Sequence, residues 1–151
     1  MTIIGEFGRQ VGPLRRALLR ATRAADGLPD LPEAHIEVLR ALTGQDGLST
    51  VEVAERLRLA RPTVSNLLGA MERGGLVELI RDGTDRRRVT IKISAYAADL
   101  LIRYDTACEN ALAEAVARLG ADDRAALERI VPVLPQLTEL LCDPCEPGSA
   151  R

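Results

Sequence analysis

The strongest constraint on the fold is a change in the spacing of apolar residues at Gly74 and Gly75. Before these glycines, from residue 49 to 73, apolar side chains recur at the three- and four-residue spacing of helices, with a short turn at 58–60. After them, apolar and polar residues alternate from 77 to 81 and from 89 to 93, which predicts a β-hairpin. Two helices, a turn and a hairpin in this order predict a winged helix-turn-helix, whose second helix enters the DNA major groove.

The ends of these two helices carry capping signals. Ser49 and Glu52 have the spacing of a capping box, so the first helix should begin there and end near Leu57. The second helix should begin at residue 61 or 62 and extend to about residue 73, where the two glycines stop it. Ala60 stands where a hydroxyl cap is expected before this helix, which should cost a little stability.

Helices are also predicted on both sides of this motif. They cover about 9–25, 32–42, 94–119 and 122–141, and Ser94 and Asp122 are expected to cap the last two. Pro132 and Pro135 fall inside the final helix, so a kink or a split is expected there. The tail at 143–151 should be frayed. The predicted fold is therefore α+β and mainly α-helical, in one domain of residues 1–151 whose DNA-binding region is 48–93.

Length and composition agree with a single globular domain. The 151 residues are 46% hydrophobic and 28% charged, as in ordinary folded proteins. No apolar run approaches the roughly 20 residues that span a bilayer, and the N-terminus lacks the basic and apolar regions of a signal peptide. We therefore expect a cytoplasmic protein without a membrane partner, in which the three cysteines are reduced thiols.

The distribution of charge favours a nucleic-acid partner, although the net charge of −2 does not. Residues 49–93 hold nine basic and six acidic side chains, so this segment is positive while the remainder is negative. A positive middle with negative ends can present one face to DNA and keep the other away from it.

The candidate DNA contacts fall into two groups. The first lies on the exposed face of the second helix of the motif and comprises Arg61, Pro62, Thr63, Ser65, Asn66 and Arg73. An asparagine can bond the N6 and N7 edge of adenine through two hydrogen bonds, so Asn66 is the candidate base reader. The alternative is that these residues form only a solvated polar face.

The second group lies at the predicted tip of the hairpin and comprises Asp85, Arg86, Arg87 and Arg88. An arginine on such a loop can enter a narrow minor groove, where the negative potential is enhanced, and Asp85 can hold a neighbouring arginine in position. The alternative is a solvated run of charge.

Three segments together resemble the multiple antibiotic resistance regulator (MarR) family. They are Ser49-x-x-Glu52-x-Ala54-x-x-Leu57, then Pro62-Thr63-Val64-Ser65, then Met71-Glu72-Arg73-Gly74-Gly75-Leu76-Val77. The segment Asp85-Arg86-Arg87, followed by Val89, Ile91, Ile93 and Ser94, is similar to the most characteristic motif of that family.

The resemblance implies a sequence-specific transcriptional regulator of double-stranded DNA. It implies an obligate homodimer whose dimerisation helices are residues 1–47 and 94–142, and which binds a pseudo-palindromic operator, most often as a repressor. A small-molecule effector or an oxidant would release it from DNA. The prolines at 132 and 135 depart from the family pattern in the helix that would form the dimer.

Other functions have weaker signals. Cys142 and Cys145 have metal-ligand spacing, but only Cys108 and His35 could complete a zinc site, so neither a metal nor a cofactor is expected. A thiol-based redox sensor, a small thiol oxidoreductase and a winged helix used only for protein contacts remain as alternatives. We expect His35 to be a satisfied surface or cap residue. No phosphate loop or catalytic triad is present, which predicts a non-enzyme.

Overall fold

The computed structural model describes residues 2–24, 27–81 and 89–142. They form two compact units, 1–111 and 112–151, within which the elements follow the predicted order. The elements are α1 (Ile3–Arg23), α2 (Glu33–Leu42), β1 (Leu48–Ser49), α3 (Thr50–Leu57), α4 (Arg61–Arg73), β2 (Val77–Arg81), β3 (Val89–Ile93), α5 (Ala95–Ala117), α6 (Ala121–Ile130) and α7 (Val133–Cys142). The predicted α+β, mainly helical fold class is confirmed.

The first helix begins six residues earlier than predicted. The Gly5 N–H donates to Thr2 Oγ1 over 3.2 Å, so Thr2 caps α1, and Glu6 accepts hydrogen bonds from Arg9 and Gln10. These polar contacts stabilise a first turn that the apolar spacing alone did not reveal. The helix ends at Arg23 rather than at the predicted Ala25, which lies outside the described residues.

The predicted hairpin is confirmed as the centre of a three-stranded antiparallel sheet in the order β1-β3-β2. Val77 pairs with Ile93 and Leu79 with Ile91, so the alternating apolar residues share one face. The two-residue strand β1, which was not predicted, pairs Leu48 with Ile91 on the other edge of β3. Two residues are too few to show an alternation in sequence.

The core of the first unit joins the sheet to four helices. Residues with no exposed surface come from α2, α3, α4, β3 and α5, and are Val38, Leu39, Val53, Val64, Met71, Ile91 and Ala97. Leu100 and Leu101 of α5 belong to the same cluster. Burial of this size anchors α4 through one face and leaves its other face outside.

The ends of the C-terminal helices differ from the prediction in two places. Ser94 caps α5 as expected, since its Oγ accepts from the Ala97 N–H at 3.1 Å. The helix ends at Ala117, because residues 118 and 119 form tighter three-residue turns. The expected cap at Asp122 is wrong: Gly120 is the N-cap, and Asp122 lies in the first turn of α6, where a carboxylate faces the positive end of the helix.

The predicted interruption of the final helix is confirmed as a split. Pro132 has no N–H to donate to the preceding turn, and α6 ends at Ile130. Pro135 lies in the first turn of α7, where a missing N–H costs nothing. The second unit therefore contains two ten-residue helices instead of one long helix.

Candidate nucleic-acid interface

Helix α3 is fixed at its beginning by the predicted capping box. The Glu52 N–H donates to Ser49 Oγ over 3.2 Å, and the Ser49 N–H donates to the Glu52 carboxylate over 2.7 Å. These bonds hold the pKa of Glu52 below its usual value, first through the backbone N–H and then through the hydroxyl. The box sets the position from which the chain turns into α4.

The turn between α3 and α4 contains a strained residue. Arg58 has a φ of 52° and a ψ of 40°, in the left-handed region that favours glycine, and ends α3. The Leu59 N–H then donates to the Ala54 carbonyl at 3.0 Å, and α4 starts at Arg61. As expected, the N-cap Ala60 provides no side-chain hydrogen bond.

Helix α4 turns one face into the core and the other outward. Val64, Leu68 and Met71 are buried, while Leu67 is only half-buried. The predicted contact residues on this helix are all exposed, namely Arg61, Pro62, Thr63, Ser65, Asn66 and Arg73. Exposure makes these side chains available to a partner; whether they touch DNA stays a prediction.

The residues facing away from the core form one line along α4. Pro62, Asn66, Gly69 and Arg73 are spaced by four, three and four residues, which places them above one another on a helix. This line, called the outward line below, lies opposite the buried side chains. The six predicted residues are thus not equivalent: three lie on the line, and Arg61, Thr63 and Ser65 lie beside it.

The wing is described only in its strands. Arg81 pairs with Val89 at the end of the β2–β3 ladder. The four predicted wing residues, Asp85, Arg86, Arg87 and Arg88, lie outside the described residues. Their proposed contact with DNA stays a prediction from the sequence.

Two of the basic residues that make this segment positive have structural partners. Arg56 donates to the Ala41 carbonyl at 3.1 Å and to the Gln45 carboxamide at 3.2 Å, which ties α3 to the end of α2. Lys92 pairs with Asp46 at 2.8 Å, and this pairing keeps the pKa of Asp46 low. The exposed Arg61 and Arg73 are therefore the arginines of α4 that a phosphate or base edge could meet.

A cavity of about 190 Å³ lies in the first unit, between α1, α2 and α5. Its walls combine aliphatic and charged side chains with one aromatic residue and one thiol. They are Arg15, Leu18, Leu19, Thr22, Glu33, Ile36, Glu37, Arg40, Tyr104 and Cys108. Sequence reasoning did not identify this lining, because its members come from three distant segments.

Tyr104 connects the cavity to the segment between α1 and α2. Its side chain is buried, its hydroxyl donates to the Pro29 carbonyl, and the Leu31 N–H donates to the same hydroxyl over 3.2 Å. Two ion pairs, Arg15 with Glu33 and Arg40 with Asp105, lie at the same helices. A molecule in this cavity would touch a residue that holds the start of α2 in place.

In residues 2–24, 27–81 and 89–142, no three histidine, cysteine, aspartate or glutamate side chains come together as metal ligands. Cys108 and Cys142 are half-buried thiols, and Cys145 lies outside the described range.

No helix in the described part of the chain has the length and apolar character needed to span a membrane.

His35 differs from its expected role. The side chain is half-buried, and its Nδ1 atom has no hydrogen-bond partner in the part of the chain that the structure describes, so it is not the satisfied residue that the sequence predicted. Burial lowers the pKa of His35 and favours the neutral ring.

Comparison with known proteins shows which family the chain resembles. The model of the MarR family matches residues 27–88, which include α2, α3, α4 and β2. The transcriptional regulator HosA of Escherichia coli O157:H7 is 27% identical over 104 residues, covering 69% of this chain and 77% of HosA. Over this stretch the chain is similar to the MarR family, a non-enzymatic family of transcriptional regulators. The matched relatives support the role of a transcriptional regulator for this chain.

Solved structures agree with the fold over nearly the whole chain. The Staphylococcus aureus regulator MepR is 21% identical and matches with a TM-score of 0.71, covering 93% of this chain and 99% of that one. The Streptomyces coelicolor regulator PcaV, in complex with its natural ligand, is 22% identical with a TM-score of 0.62, covering 89% and 93%. At these identities the likeness establishes the winged-helix fold of this chain and no more.

Proposed function

We propose that the protein binds a pseudo-palindromic operator in double-stranded DNA as a homodimer and represses transcription until a small molecule or an oxidant releases it. The observation that carries this proposal is the two-sided character of α4. One face is fixed in the core by Val64, Leu68 and Met71, and the other presents exposed polar and basic side chains. A rigid helix with such a face suits the major groove.

Asn66 is the proposed base reader because it lies at the middle of the outward line. Its exposed carboxamide can make two hydrogen bonds to an adenine edge, whereas Arg61 and Arg73 can meet phosphates or guanine. A mutant of MepR, which is similar in fold, was solved bound to an oligodeoxyribonucleotide, and this supports DNA as the partner. The wing arginines Arg86, Arg87 and Arg88 are proposed to bind the backbone and the minor groove.

The test is a titration of selected duplexes by fluorescence anisotropy at several salt concentrations. The duplexes are enriched from a randomised library by the wild-type protein, with random-sequence duplex as reference. Asn66→Ala should cost about 1–3 kcal/mol on selected DNA and little on random DNA. Asn110→Ala, the same change at an exposed position of α5, is the matched control and should change neither affinity. Binding that is insensitive to salt would instead favour a winged helix used for protein contacts.

The proposal of a homodimer rests on apolar surface in each unit. Helix α1 exposes Ile3, Ile4 and Leu14, and no residue of α6 or α7 is buried. In the second unit, Leu112, Val116, Leu127 and Val131 also line an open apolar groove. Surfaces of this kind are typical of interfaces between chains, and two copies of one chain are the commonest solution. Sedimentation should give twice the monomer mass of 16.3 kDa.

The cavity beside Tyr104 is the proposed site of a small-molecule effector. Its apolar walls with a few charged groups are typical of ligand sites, and PcaV, which is related in fold, was solved with its natural ligand. Thermal-shift screening of small organic acids and amines should find compounds that stabilise the protein and weaken DNA binding. Cys108→Phe should fill the cavity and abolish this response, whereas Cys108→Ser should keep it. Loss of the response in both variants would favour the thiol as the sensor.

A further inference from the structure

Gly69 occupies a position on the outward line of α4 that the fold does not explain. It lies between Asn66 and Arg73 in the middle of a thirteen-residue helix. Glycine in a helix interior is less stable than alanine, because its backbone loses more freedom on folding. A mid-helix glycine therefore needs a reason in packing or in function.

The packing around Gly69 gives no such reason. Its φ is not among the positive glycine φ values of the described residues, which belong to Gly27, Gly44, Gly47 and Gly75. A Cβ at this position would meet one atom within 4 Å apart from the helix's own backbone, the guanidinium Nη1 of Arg73 at 3.6 Å, an ordinary contact. By contrast, a Cβ at Gly47 would collide with the Thr90 methyl group, so the fold requires that glycine.

A second helical glycine, Gly12, shows what a local structural reason for glycine looks like. Gly12 also has the guanidinium of an arginine four residues later near its missing Cβ, but Pro13 follows it, and a residue before proline is strained in a helix when it carries a Cβ. Ala70 follows Gly69, so this local reason does not apply there. The half-exposed backbone at Gly69, with the Arg73 guanidinium beside it, lies on the side of α4 that is proposed to meet DNA.

We propose that Gly69 is a specificity-determining residue of the DNA-binding surface. The missing side chain leaves a notch whose floor is the α4 backbone and whose two sides are Asn66 and Arg73. A base edge of the operator enters this notch, because glycine permits a close approach of the backbone to a ligand. This inference rests on the proposed DNA-binding function and assigns a role to a residue without a side chain.

The decisive variant is Gly69→Ala, because stability and affinity should change in opposite directions. Alanine fits without a clash within the protein, so Tm should rise by about 2–4 °C. Affinity for the selected duplexes should fall at least tenfold, while affinity for random duplex should change less than threefold. Gly8→Ala is the matched control for stability, since it lies exposed in α1 with nothing within 4 Å of the added Cβ. It should raise Tm as Gly69→Ala does, and it controls stability alone, because α1 is proposed to form part of the dimer interface.

Gly69→Lys tests the notch against simple charge. An added lysine on a surface facing DNA should strengthen binding to any duplex through phosphate neutralisation. The notch requires that affinity for selected duplexes falls while affinity for random duplex rises. If both Gly69 variants bind selected DNA as tightly as the wild type, the proposal is wrong. If the wild type shows no preference for selected over random duplex, the proposed function itself fails, and the role of Gly69 fails with it.

Discussion

The first unit buries many of its apolar side chains, whereas the helices α6 and α7 leave theirs exposed. Residues from α2 to the first half of α5 enclose Leu39, Val64, Met71 and Ile91 completely. No residue of α6 or α7 is buried, and Leu140 and Leu141 are about three-quarters exposed at 74% and 76%. The winged motif thus carries its own core, whereas the C-terminal helices have apolar surface that only another surface can cover.

Charged substitutions in α7 give the sharpest test of this difference. The double variant Leu140→Glu and Leu141→Glu puts two carboxylates on surface that we propose is buried between copies, where an unpaired charge is costly. The dimer dissociation constant should rise at least a hundredfold, and operator affinity should fall with it. Analytical ultracentrifugation over a concentration series measures this. An unchanged dimer would place the interface elsewhere.

A substitution in the core of the first unit should lower the stability of the folded chain. Leu39→Ala removes a completely buried side chain of α2 and should lower the free energy of unfolding by about 2–5 kcal/mol. Urea denaturation measures the loss. Ile80→Ala, at the 46% exposed isoleucine of β2, is the control and should cost much less, because β2 lies outside the proposed dimer helices. Equal losses for both would mean that burial in the first unit does not decide the cost.

The local parts of the fold could be predicted from the sequence because their causes are local. Ser49 and Glu52 lie three residues apart, Gly74 and Gly75 follow α4 directly, and the apolar alternation runs within each strand. The early start of α1 was missed because its signal was the Thr2 hydroxyl, outside the apolar pattern. A polar N-cap does not take part in the periodic pattern of apolar residues, so that pattern cannot reveal it.

The cavity could not be predicted because its members meet through long-range contacts. The Tyr104 hydroxyl binds the Pro29 carbonyl, which lies 75 residues away in sequence. No spacing rule connects residues so far apart, and both tyrosines look alike in the sequence. Tyr96 is exposed and Tyr104 is buried, which only the packing of α5 decides.

Within the DNA surface, the recognition helix and the wing should differ in what they contribute. Arg87→Ala should weaken binding to selected and random duplexes alike and lower the salt slope by about one, because a wing arginine acts through phosphate charge and groove shape. Asn66→Ala should act on selected duplexes alone. Anisotropy titrations across a salt series compare the two. If Arg87→Ala leaves both affinities and the salt slope unchanged, the wing does not contact DNA.

The smallest expected effect concerns pH and His35, the only histidine in the chain. Burial lowers its pKa in the folded state, while the unfolded chain keeps the usual value of about 6.5. The unfolded state therefore binds a proton at a higher pH than the folded state does. Above about pH 6.5, His35 is neutral in both states and the free energy of unfolding has its full value. As the pH falls through the lower folded pKa, part of this free energy of unfolding is lost.

Carboxyl groups with shifted pKa values change the stability in a lower pH range than His35 does, so the effect of His35 can be measured separately. The pKa values of Glu52 and Asp46 are lowered, so their contributions to stability are lost only below the usual carboxyl range of about pH 4. Between pH 7 and 5.5, the Tm of the wild type should therefore fall by more than the Tm of His35→Gln. Thermal unfolding of both proteins at matched ionic strength measures the difference. Parallel curves would mean that the folded protein accommodates the imidazolium at no cost and that the buried Nδ1 gains a partner on protonation.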